Sequence, residues 1–416
     1  MKFSIYTGPL FVALAHSHVA AGATNNTDQG PPTFQLGNDT AFNFEYLVAL
    51  QNSLSGGSDI GPVLGVVKTI KPGDFDSYHE EFYKLANATK AQAQDPENAY
   101  DPINVGDSWF SASHYFRRAD VYIHRNWSTG CSANPWQAYK IPSVKKNITV
   151  EAIWYSASED PNAKLPTLIV GNGFDAAQED SYHYYCAPAL ARGWNCITYE
   201  GPGQNTVRRT QDIGFIPEWE HVATPVVDYV LSEKKQVVDK DRLVLVGNSF
   251  GGYLAARAAA FEPRLSATIL VGGIWDSYAG YSKQLPEELM SIYEAGNYTQ
   301  FDDEVLSLRD AGKLPTEATW GLDYGLWAFK THSPSKFFDL TKQYRIEDVV
   351  HQIDMPVFVG DAEFENIFKG QAHQVKDALG DKGTFHEFMG VAGYHCQSGA
   401  QQELARTIFA WLNNTL

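Results

Sequence analysis

A serine flanked by glycines is the residue of this 416-residue chain best suited to chemistry. The segment Gly247-Asn-Ser-Phe-Gly251 fits GxSxG, the turn in which a serine hydroxyl is exposed between a strand and a helix. Residues 243–246 are apolar, as in a buried strand, and residues 254–261 are mostly small, as in a closely packed helix. This context predicts Ser249 to be the nucleophile of an acyl transfer; the alternative is an ordinary glycine-rich loop.

A serine hydroxyl needs a neighbouring base, and in α/β-hydrolases that histidine follows the serine along the chain. His395 is the best placed, because it lies in a predicted loop just before the amphipathic helix expected over residues 401–412. We expect His386 on a strand and His373 on a solvated helix. An ordinary loop histidine is the alternative interpretation of His395. The histidines that fit the order are His332, His351, His373, His386 and His395.

The histidine in turn needs a carboxylate, expected after the strand predicted over residues 356–359. Asp361, Glu363 and Glu365 compete in that loop. We favour Glu365 because two apolar residues, Ile367 and Phe368, follow it after one intervening residue. Asp361 is the second choice. The alternative is that all three only cap the next helix. A glutamate suffices, since its task is to hold the imidazole tautomer and to stabilise its cation.

An oxyanion hole requires two backbone N–H groups. The first is expected at Phe250, directly after the nucleophile. For the second we expect Phe174, in the loop Gly171-Asn-Gly-Phe-Asp175, where glycines permit close approach of the backbone. A plain tight turn is the alternative for this loop, and Asp175 could cap the helix that follows.

Charge and composition exclude several classes of partner. The net charge is −17, from 49 acidic and 32 basic residues, which argues against nucleic acid and anionic membranes. No cofactor is expected, and no metal, because zinc-ligand spacings and HExxH are absent. One disulfide is plausible among the four cysteines, but the sequence does not choose a pairing. These cysteines are Cys131, Cys186, Cys196 and Cys396.

The N-terminus predicts a secreted or secretory-pathway protein. Residues 1–23 read as a signal peptide, with Lys2, an apolar stretch and small residues before position 24. No segment is long and apolar enough to insert stably into a membrane. Seven Asn-x-Ser/Thr sequons support glycosylation. They begin at Asn25, Asn38, Asn87, Asn126, Asn147, Asn297 and Asn413.

The periodicity divides the chain into a helical region and an α/β core. Residues 24–140 are mainly helical in pattern and predict an N-terminal cap domain. Residues 141–416 alternate short apolar runs with helical stretches, the rhythm of a mostly parallel sheet with helices on both faces. A helix-rich insertion at about 275–350 is expected to form a lid. Residues 148–155 alternate as an antiparallel edge strand would.

Several segments besides the elbow resemble fungal α/β-hydrolases related to the heptaketide naphthopyrone hydrolase of pigment biosynthesis. More distantly, the chain is similar to dihydroxypseudooxynicotine hydrolase and the fermentation–respiration switch esterases. The resemblance runs from about residue 70 to the end of the chain. The matching segments are residues 111–120 (SASHYFRRAD), 171–179, 199–204, 362–371 and 393–397 (GYHCQ).

This resemblance implies a helical domain over a hydrolase core and a triad of Ser249, Glu365 and His395. It also implies cleavage of an acyl bond beside a carbonyl, often a polyketide carbon–carbon bond broken by a retro-Claisen route. The family acid is usually aspartate, so Glu365 departs from the pattern. The signal peptide and the sequons are not general features of the family, which puts the compartment and the substrate in doubt.

The leading functional hypothesis is a serine hydrolase acting on an ester, lactone or β-diketone bond of a polyketide-type secondary metabolite. Alternatives are isomerisation or cyclisation by the same triad, or a secreted carboxylesterase or peptidase. Aromatic residues make up 13% of the chain, which would suit an apolar or aromatic small molecule, although they could equally form the lid's own core. Asp276 could supply a second carboxylate for carbon–carbon cleavage, and a homodimer is left open.

Overall fold

The computed structural model describes residues 33–127, 139–143 and 147–416. The predicted signal peptide, the sequon at Asn25 and Cys131 lie outside these residues.

One sheet runs through the described part of the chain, with eight strands in the order β1-β2-β4-β3-β5-β6-β7-β8. The strands are β1 Tyr139–Ser143, β2 Ile148–Tyr155, β3 Leu165–Gly171, β4 Asn195–Glu200, β5 Val238–Asn248, β6 Ala267–Val271, β7 Val357–Ala362 and β8 Gly383–Phe388. β2 pairs antiparallel with β1 and β4, and every other pair is parallel. The five strands β3 to β7 are mostly buried on both faces, so they appear in the sequence as continuous apolar runs.

Strand β2 is antiparallel, as its alternating pattern predicts, but its predicted edge position is wrong. β1 pairs along it from Tyr139 opposite Ala152 to Ser143 opposite Ile148, and β1 is the edge strand. β1 is short and contains Pro142, a residue tolerated at sheet edges because it cannot donate to the ladder. A five-residue strand with so little apolar character has no clear signal in the sequence.

Helices lie before the sheet, between its strands and after it. Among the residues that the structure describes, the first four helices precede β1, five lie between β6 and β7, and most of the others cover the two faces of the sheet. They are α1 Thr40–Gln51, α2 Ile60–Val67, α3 Phe75–Gln94, α4 Pro102–Asp120, α5 Gln178–Ser181, α6 Ala187–Leu190, α7 Asn205–Gln211, α8 Glu220–Glu233, α9 Gly251–Ala259, α10 Ser277–Tyr281, α11 Glu287–Glu294, α12 Tyr298–Asp310, α13 Thr316–Ala328, α14 Pro334–Thr341, α15 Gln371–Leu379 and α16 Gln401–Thr415.

The core has a layer on each face of the sheet. Along β5, Leu243 and Leu245 pack into one layer, whereas Val244 and Val246 pack into the other. This division follows from the two-residue period of a strand, which sends successive side chains to opposite faces. The central strand is therefore fixed from both sides, and its carboxyl end is held rigidly.

The helices before the sheet have an aromatic core of their own. Phe42 of α1 packs against Tyr78 of α3 and against Tyr122, which follows α4, with ring centroids 4.9 and 4.8 Å apart. Asp39 caps the N-terminus of α1: its carboxylate accepts a hydrogen bond from Phe42 N at 3.0 Å, which satisfies an otherwise unpaired amide. The same carboxylate accepts from the Thr316 hydroxyl at 2.6 Å, which joins α1 to α13.

The structure resolves the cysteine pairing that the sequence left open. Cys186 and Cys196 form a disulfide between the end of a π-helical turn, Tyr182–Cys186, and strand β4. Cys396 is buried and unpaired. Among the described helices, none combines the length and the apolar character that crossing a membrane requires.

Candidate active site

Strand β5 ends in the turn that holds Ser249 in a left-handed conformation, with φ at 56°. Few non-glycine residues adopt this conformation, and it is typically sustained by the surrounding structure at functional sites. A Cβ on Gly247 would approach Gly251 O to 2.0 Å, so the turn requires glycine there. Ser249 N donates to Val271 O at 2.8 Å, and Ser249 O accepts from Gly252 N at 2.7 Å. The turn is thereby tied to strand β6 and to helix α9.

His395 lies beside this serine. Its Nε2 is 2.7 Å from the Ser249 hydroxyl oxygen, within hydrogen-bonding distance. The histidine sits in the loop between β8 and α16, as the sequence predicts. The two residues after it, Cys396 and Gln397, both have positive φ, and the Cys396 thiol donates to Val271 O at 3.6 Å. The backbone after His395 is thus folded back against β6.

Glu365 completes the chain of hydrogen bonds. One carboxylate oxygen lies 2.5 Å from His395 Nδ1, and the other accepts from the Ile367 and Phe368 amides at 3.0 Å each. The neighbouring Phe364 N donates to Gly393 O at 2.9 Å, so the acid loop and the histidine loop are joined directly. These contacts fix the carboxylate in one orientation, which is what holding an imidazole tautomer requires.

The hydrogen bonds distinguish Glu365 from the other two candidate acids, Asp361 and Glu363. Asp361 is the fifth residue of β7, and its side chain accepts from the following Ala362 N at 2.9 Å. Burial raises the pKa of Asp361 to about 6. Glu363 accepts instead from Gly390 N at 2.7 Å. Of the three acids, Glu365 is the one hydrogen-bonded to His395.

Burial and charge shift the pKa values of both partners. Burial raises the pKa of Glu365, but the charge and hydrogen bond of His395 and the two backbone amides outweigh burial and lower it below 4.5. Burial lowers the pKa of His395, but its electrostatic interactions and hydrogen bonds with Cys396 and Glu365 outweigh burial and raise that pKa well above 6.5. The geometry thus favours a carboxylate beside an imidazole of unusually high basicity.

The loop after β3 reaches the serine turn from the other side. A Cβ on Gly173 would lie 2.4 Å from Asn248 O and 2.9 Å from Ser249 Cβ, so only glycine permits this approach. The amide of Phe250 stands at the N-terminus of α9, where backbone N–H groups lack helical partners. Within the described residues, neither Phe250 N–H nor Phe174 N–H donates to another protein group. Neither of the two predicted oxyanion donors is therefore committed to another contact among these residues.

A cavity of about 460 Å³ opens over Ser249 and His395. Its walls come from three separate parts of the chain: the helices before the sheet, the sheet-edge loops, and the helices between β6 and β7. Phe44 and Tyr122 come from the region before the sheet, and Phe174 comes from a loop at the carboxyl ends of the strands. Trp320 and Phe337 come from the helices between β6 and β7. Aromatic surfaces on several sides suit a mostly apolar ligand.

Asp276 does not line this cavity. Its carboxylate caps α10 by accepting from Ala279 N at 3.0 Å, and it forms an ion pair with Arg345 at 3.1 Å. The hypothesis of a second carboxylate at this position therefore has no support in the geometry. Asp175 does not cap the next helix either; it interacts with Arg117.

Sequence reasoning missed several polar residues that line the cavity. Glu45, Arg117 and Arg118 come from α1 and α4, and Glu317 from α13. Burial raises the pKa of Glu45 to about 7, although Arg118 opposes the shift. The available signal was the pair of adjacent arginines inside a helix of otherwise buried pattern, because buried guanidinium groups require acidic partners.

Comparison with known proteins supports the family expected from the sequence. A model of the alpha/beta hydrolase family matches residues 168–382, just over half of the chain. Hydrolase LUC6 of Fusarium sp is 26% identical over 92% of this chain and 98% of its own length. The 20-hydroxy-prefusarin hydrolase FUS2 of Gibberella moniliformis is 24% identical over 90% and 96%. The expected resemblance to fungal hydrolases is confirmed.

Solved structures confirm the fold. The 2,6-dihydroxy-pseudo-oxynicotine hydrolase superposes with a TM-score of 0.66 at 17% identity, covering 88% of this chain and 95% of its own. This likeness extends beyond the residues matched by the family model. The mostly parallel sheet, the helices on its faces and the helical region before it are those expected from the sequence. The chain belongs to the alpha/beta hydrolase family.

Proposed function

We propose that this hydrolase uses Ser249 as its nucleophile, His395 as its general base and acid, and Glu365 as the carboxylate that orients the imidazole. The observation that carries the proposal is the continuous set of contacts from Glu365 through His395 to a strained serine, at 2.5 and 2.7 Å. Nucleophile, base and orienting acid in this order are what acyl transfer requires.

The reaction would proceed through an acyl-enzyme. Ser249 Oγ attacks the substrate carbonyl carbon while its proton passes to His395 Nε2. The oxyanion that forms accepts hydrogen bonds from the Phe174 and Phe250 amides. His395 then protonates the leaving group, an alcohol from an ester or an enolate carbon from a β-diketone. Water, deprotonated by His395, releases the acid and restores the serine.

The substrate class we propose is a polyketide-type secondary metabolite with an ester, lactone or β-diketone acyl bond. Two observations support it. One relative of nearly the same length is named for hydrolysis of 20-hydroxy-prefusarin, and others are fungal hydrolases. The aromatic cavity would bury a substrate with apolar or aromatic surface, for which Trp320 and Phe174 offer contact area.

We also infer that the protein passes through the secretory pathway. The sequons that fall within the described residues all place their asparagine at an exposed position, as glycosylation requires. The Cys186–Cys196 disulfide is consistent with an oxidising compartment.

The nucleophile is tested by intact-protein mass after treatment with a fluorophosphonate. We expect one adduct on the wild type and on Ser156→Ala, a control at an exposed serine. We expect none on Ser249→Ala or His395→Ala. An adduct that persists in Ser249→Ala would refute the assignment.

Product masses then identify the reaction on a panel of polyketide esters, lactones and β-diketones. Hydrolysis adds one water to the substrate across the products. A product of unchanged mass would mean that an internal nucleophile captures the acyl-enzyme, so that the enzyme isomerises or cyclises its substrate.

A further inference from the structure

The loop that carries Phe174 is held largely by side chains from other parts of the chain. After β4, Gln204 Nε2 donates to Asn172 O and Gly173 O at 2.9 and 3.1 Å. Asn205 Nδ2 donates to the carbonyl oxygens of Asp175 and Ala176 at 2.9 and 3.0 Å. The position of the Phe174 amide therefore depends on groups that grip the carbonyl oxygens around it.

Arg117 of α4 also contacts this loop, and it does so from the helical region before the sheet. Its Nη2 donates to Asp175 O at 2.8 Å, and its Nε donates to Asp180 Oδ2 at 2.9 Å. The same Asp180 oxygen accepts from Ala177 N at 3.1 Å. One guanidinium thus spans the loop from the residue after Phe174 to the first turn of α5.

The surroundings hold this guanidinium in place. The Arg117 side chain is 5% exposed, and Arg118 donates to the second oxygen of Asp180 at 2.5 Å. Burial raises the pKa of Asp180, but the charges of Arg118 and Arg117 outweigh burial and lower it below 3.8. Arg118 also binds Glu45 of α1. The network ties two helices of the N-terminal region to the loop.

We propose that Arg117 is a positioning residue for the oxyanion hole, acting by fixing the loop of residues 171–177 so that the Phe174 N–H points at the developing oxyanion. The inference rests on the proposed function of that N–H. It gives the helical region before the sheet a part in the reaction beyond forming a wall of the cavity. It also gives a role to the first of the two adjacent arginines in the buried second half of α4.

A lysine at this position separates charge from geometry. A guanidinium presents several donors in a fixed fork, whereas an ammonium is a compact charge on a flexible stem. Arg117→Lys keeps the positive charge beside Asp180 but cannot hold both acceptors in the same geometry. The matched control is Arg264→Lys. The Arg264 guanidinium also donates to a carboxylate through two of its nitrogens. However, Arg264 precedes β6 and so lies at the amino ends of the parallel strands, whereas Ser249 lies at their carboxyl ends.

The test combines amide hydrogen exchange with steady-state kinetics on a p-nitrophenyl ester. In Arg117→Lys we expect peptides covering residues 171–181 to exchange roughly tenfold faster than in the wild type, since a buried anchor is lost. We expect kcat to fall roughly 10²-fold with KM changed by less than about threefold, because misplacing a catalytic group acts on the transition state. Arg264→Lys should change neither readout.

Each outcome decides something. Unchanged exchange in Arg117→Lys, or faster exchange with unchanged kcat, overturns the inference. A rise in KM without loss of kcat also overturns it, because it would mean that Arg117 only binds substrate. If the wild type neither cleaves the ester nor reacts with a fluorophosphonate, the proposed function fails, and the exchange data still decide whether Arg117 holds the loop.

Discussion

His395 must be neutral before it can accept a proton from Ser249. Because the pKa of His395 is raised well above 6.5, the neutral imidazole that can act as a base forms only as the pH rises through that raised value. We therefore expect kcat/KM to increase with pH through an apparent pKa above 6.5. A profile of kcat/KM against pH on a neutral ester measures this directly. A pKa at or below 6.5 would contradict the expectation.

Glu365→Gln tests the source of that shift. Loss of the carboxylate should lower the apparent pKa of His395, since one of the groups that raise it is removed, and should reduce kcat by about 10³- to 10⁴-fold, as for other triads without their acid. Asp361→Asn is the matched control, and its activity should stay within about threefold of wild type, because its side chain does not contact His395. A larger loss in Asp361→Asn than in Glu365→Gln would reverse the assignment of the acid.

Gly173→Ala tests the close approach of the two backbone segments. The new Cβ would lie 2.4 Å from Asn248 O, so either the loop or the serine turn must move. We expect roughly 10²-fold loss of kcat against esters, or loss of folding. The control is Gly65→Ala in helix α2, where a Cβ meets nothing within 4 Å. Thermal unfolding should show that control to be as stable as wild type or more so by up to about 1 kcal/mol.

The sequence was sufficient to select the three side chains that the structure brings together. Ser249 has a local signature, His395 follows from its order and its place before the last predicted helix, and Glu365 was favoured over Asp361 in the loop after a predicted strand. Arg117 could not be selected in this way. Its role depends on a contact with a loop 58 residues later in the chain, and no local pattern encodes such a contact.

At the scale of elements, one carboxylate joins the helices before the sheet to the core. Asp180 binds both Arg117 and Arg118, whose side chains are 5% and 2% exposed. Removing its charge leaves two buried cations with less compensation, which typically costs about 3–5 kcal/mol. We therefore expect Asp180→Asn to lower the free energy of unfolding by that amount in urea titrations. A change below about 1 kcal/mol would mean that the network contributes little.

The disulfide between Cys186 and Cys196 is the second link between elements. It closes a short loop, with a separation of 10 residues, for which chain entropy predicts about 2–3 kcal/mol of stabilisation. The double variant Cys186→Ala, Cys196→Ala should lose that stability, measured by denaturant unfolding without reductant. Adding reductant should then destabilise the wild type but leave the double variant unchanged. Equal sensitivity of both proteins to reductant would contradict this pairing.

The buried apolar strands were predictable from the sequence, whereas the edge strand β1 and the position of β2 beside it were not. Strands β3 and β7 and residues 243–247 of β5 are buried on both faces, so their apolar composition identifies them. β1 was missed because it is short and polar, and the position of β2 depended on it. The π-helical turn Tyr182–Cys186 was also missed, because nothing in its composition distinguishes it from ordinary helix.

At the scale of the whole molecule, exposed sequons give a direct test of the compartment. In the described part of the chain, the sequon asparagines from Asn38 to Asn413 are all exposed, so a chain that enters the secretory pathway should carry several glycans. We expect the protein secreted from a fungal host to lose mass on treatment with an N-glycosidase. Replacing Asn297 with Gln should remove one glycan. Protein retained inside the cell without glycans would contradict the inference.

The cavity over Ser249 is walled by three stretches of chain, whereas the hydrogen-bonded serine, histidine and glutamate all come from loops at one edge of the sheet. Most of the surface that meets a ligand is therefore encoded apart from the residues proposed to react with it. A lineage can alter Phe44, Trp320 or Phe337 while leaving the contacts of Ser249 intact. Such an architecture allows related genes to diverge in the molecules they accept while inheriting one unchanged way of breaking them.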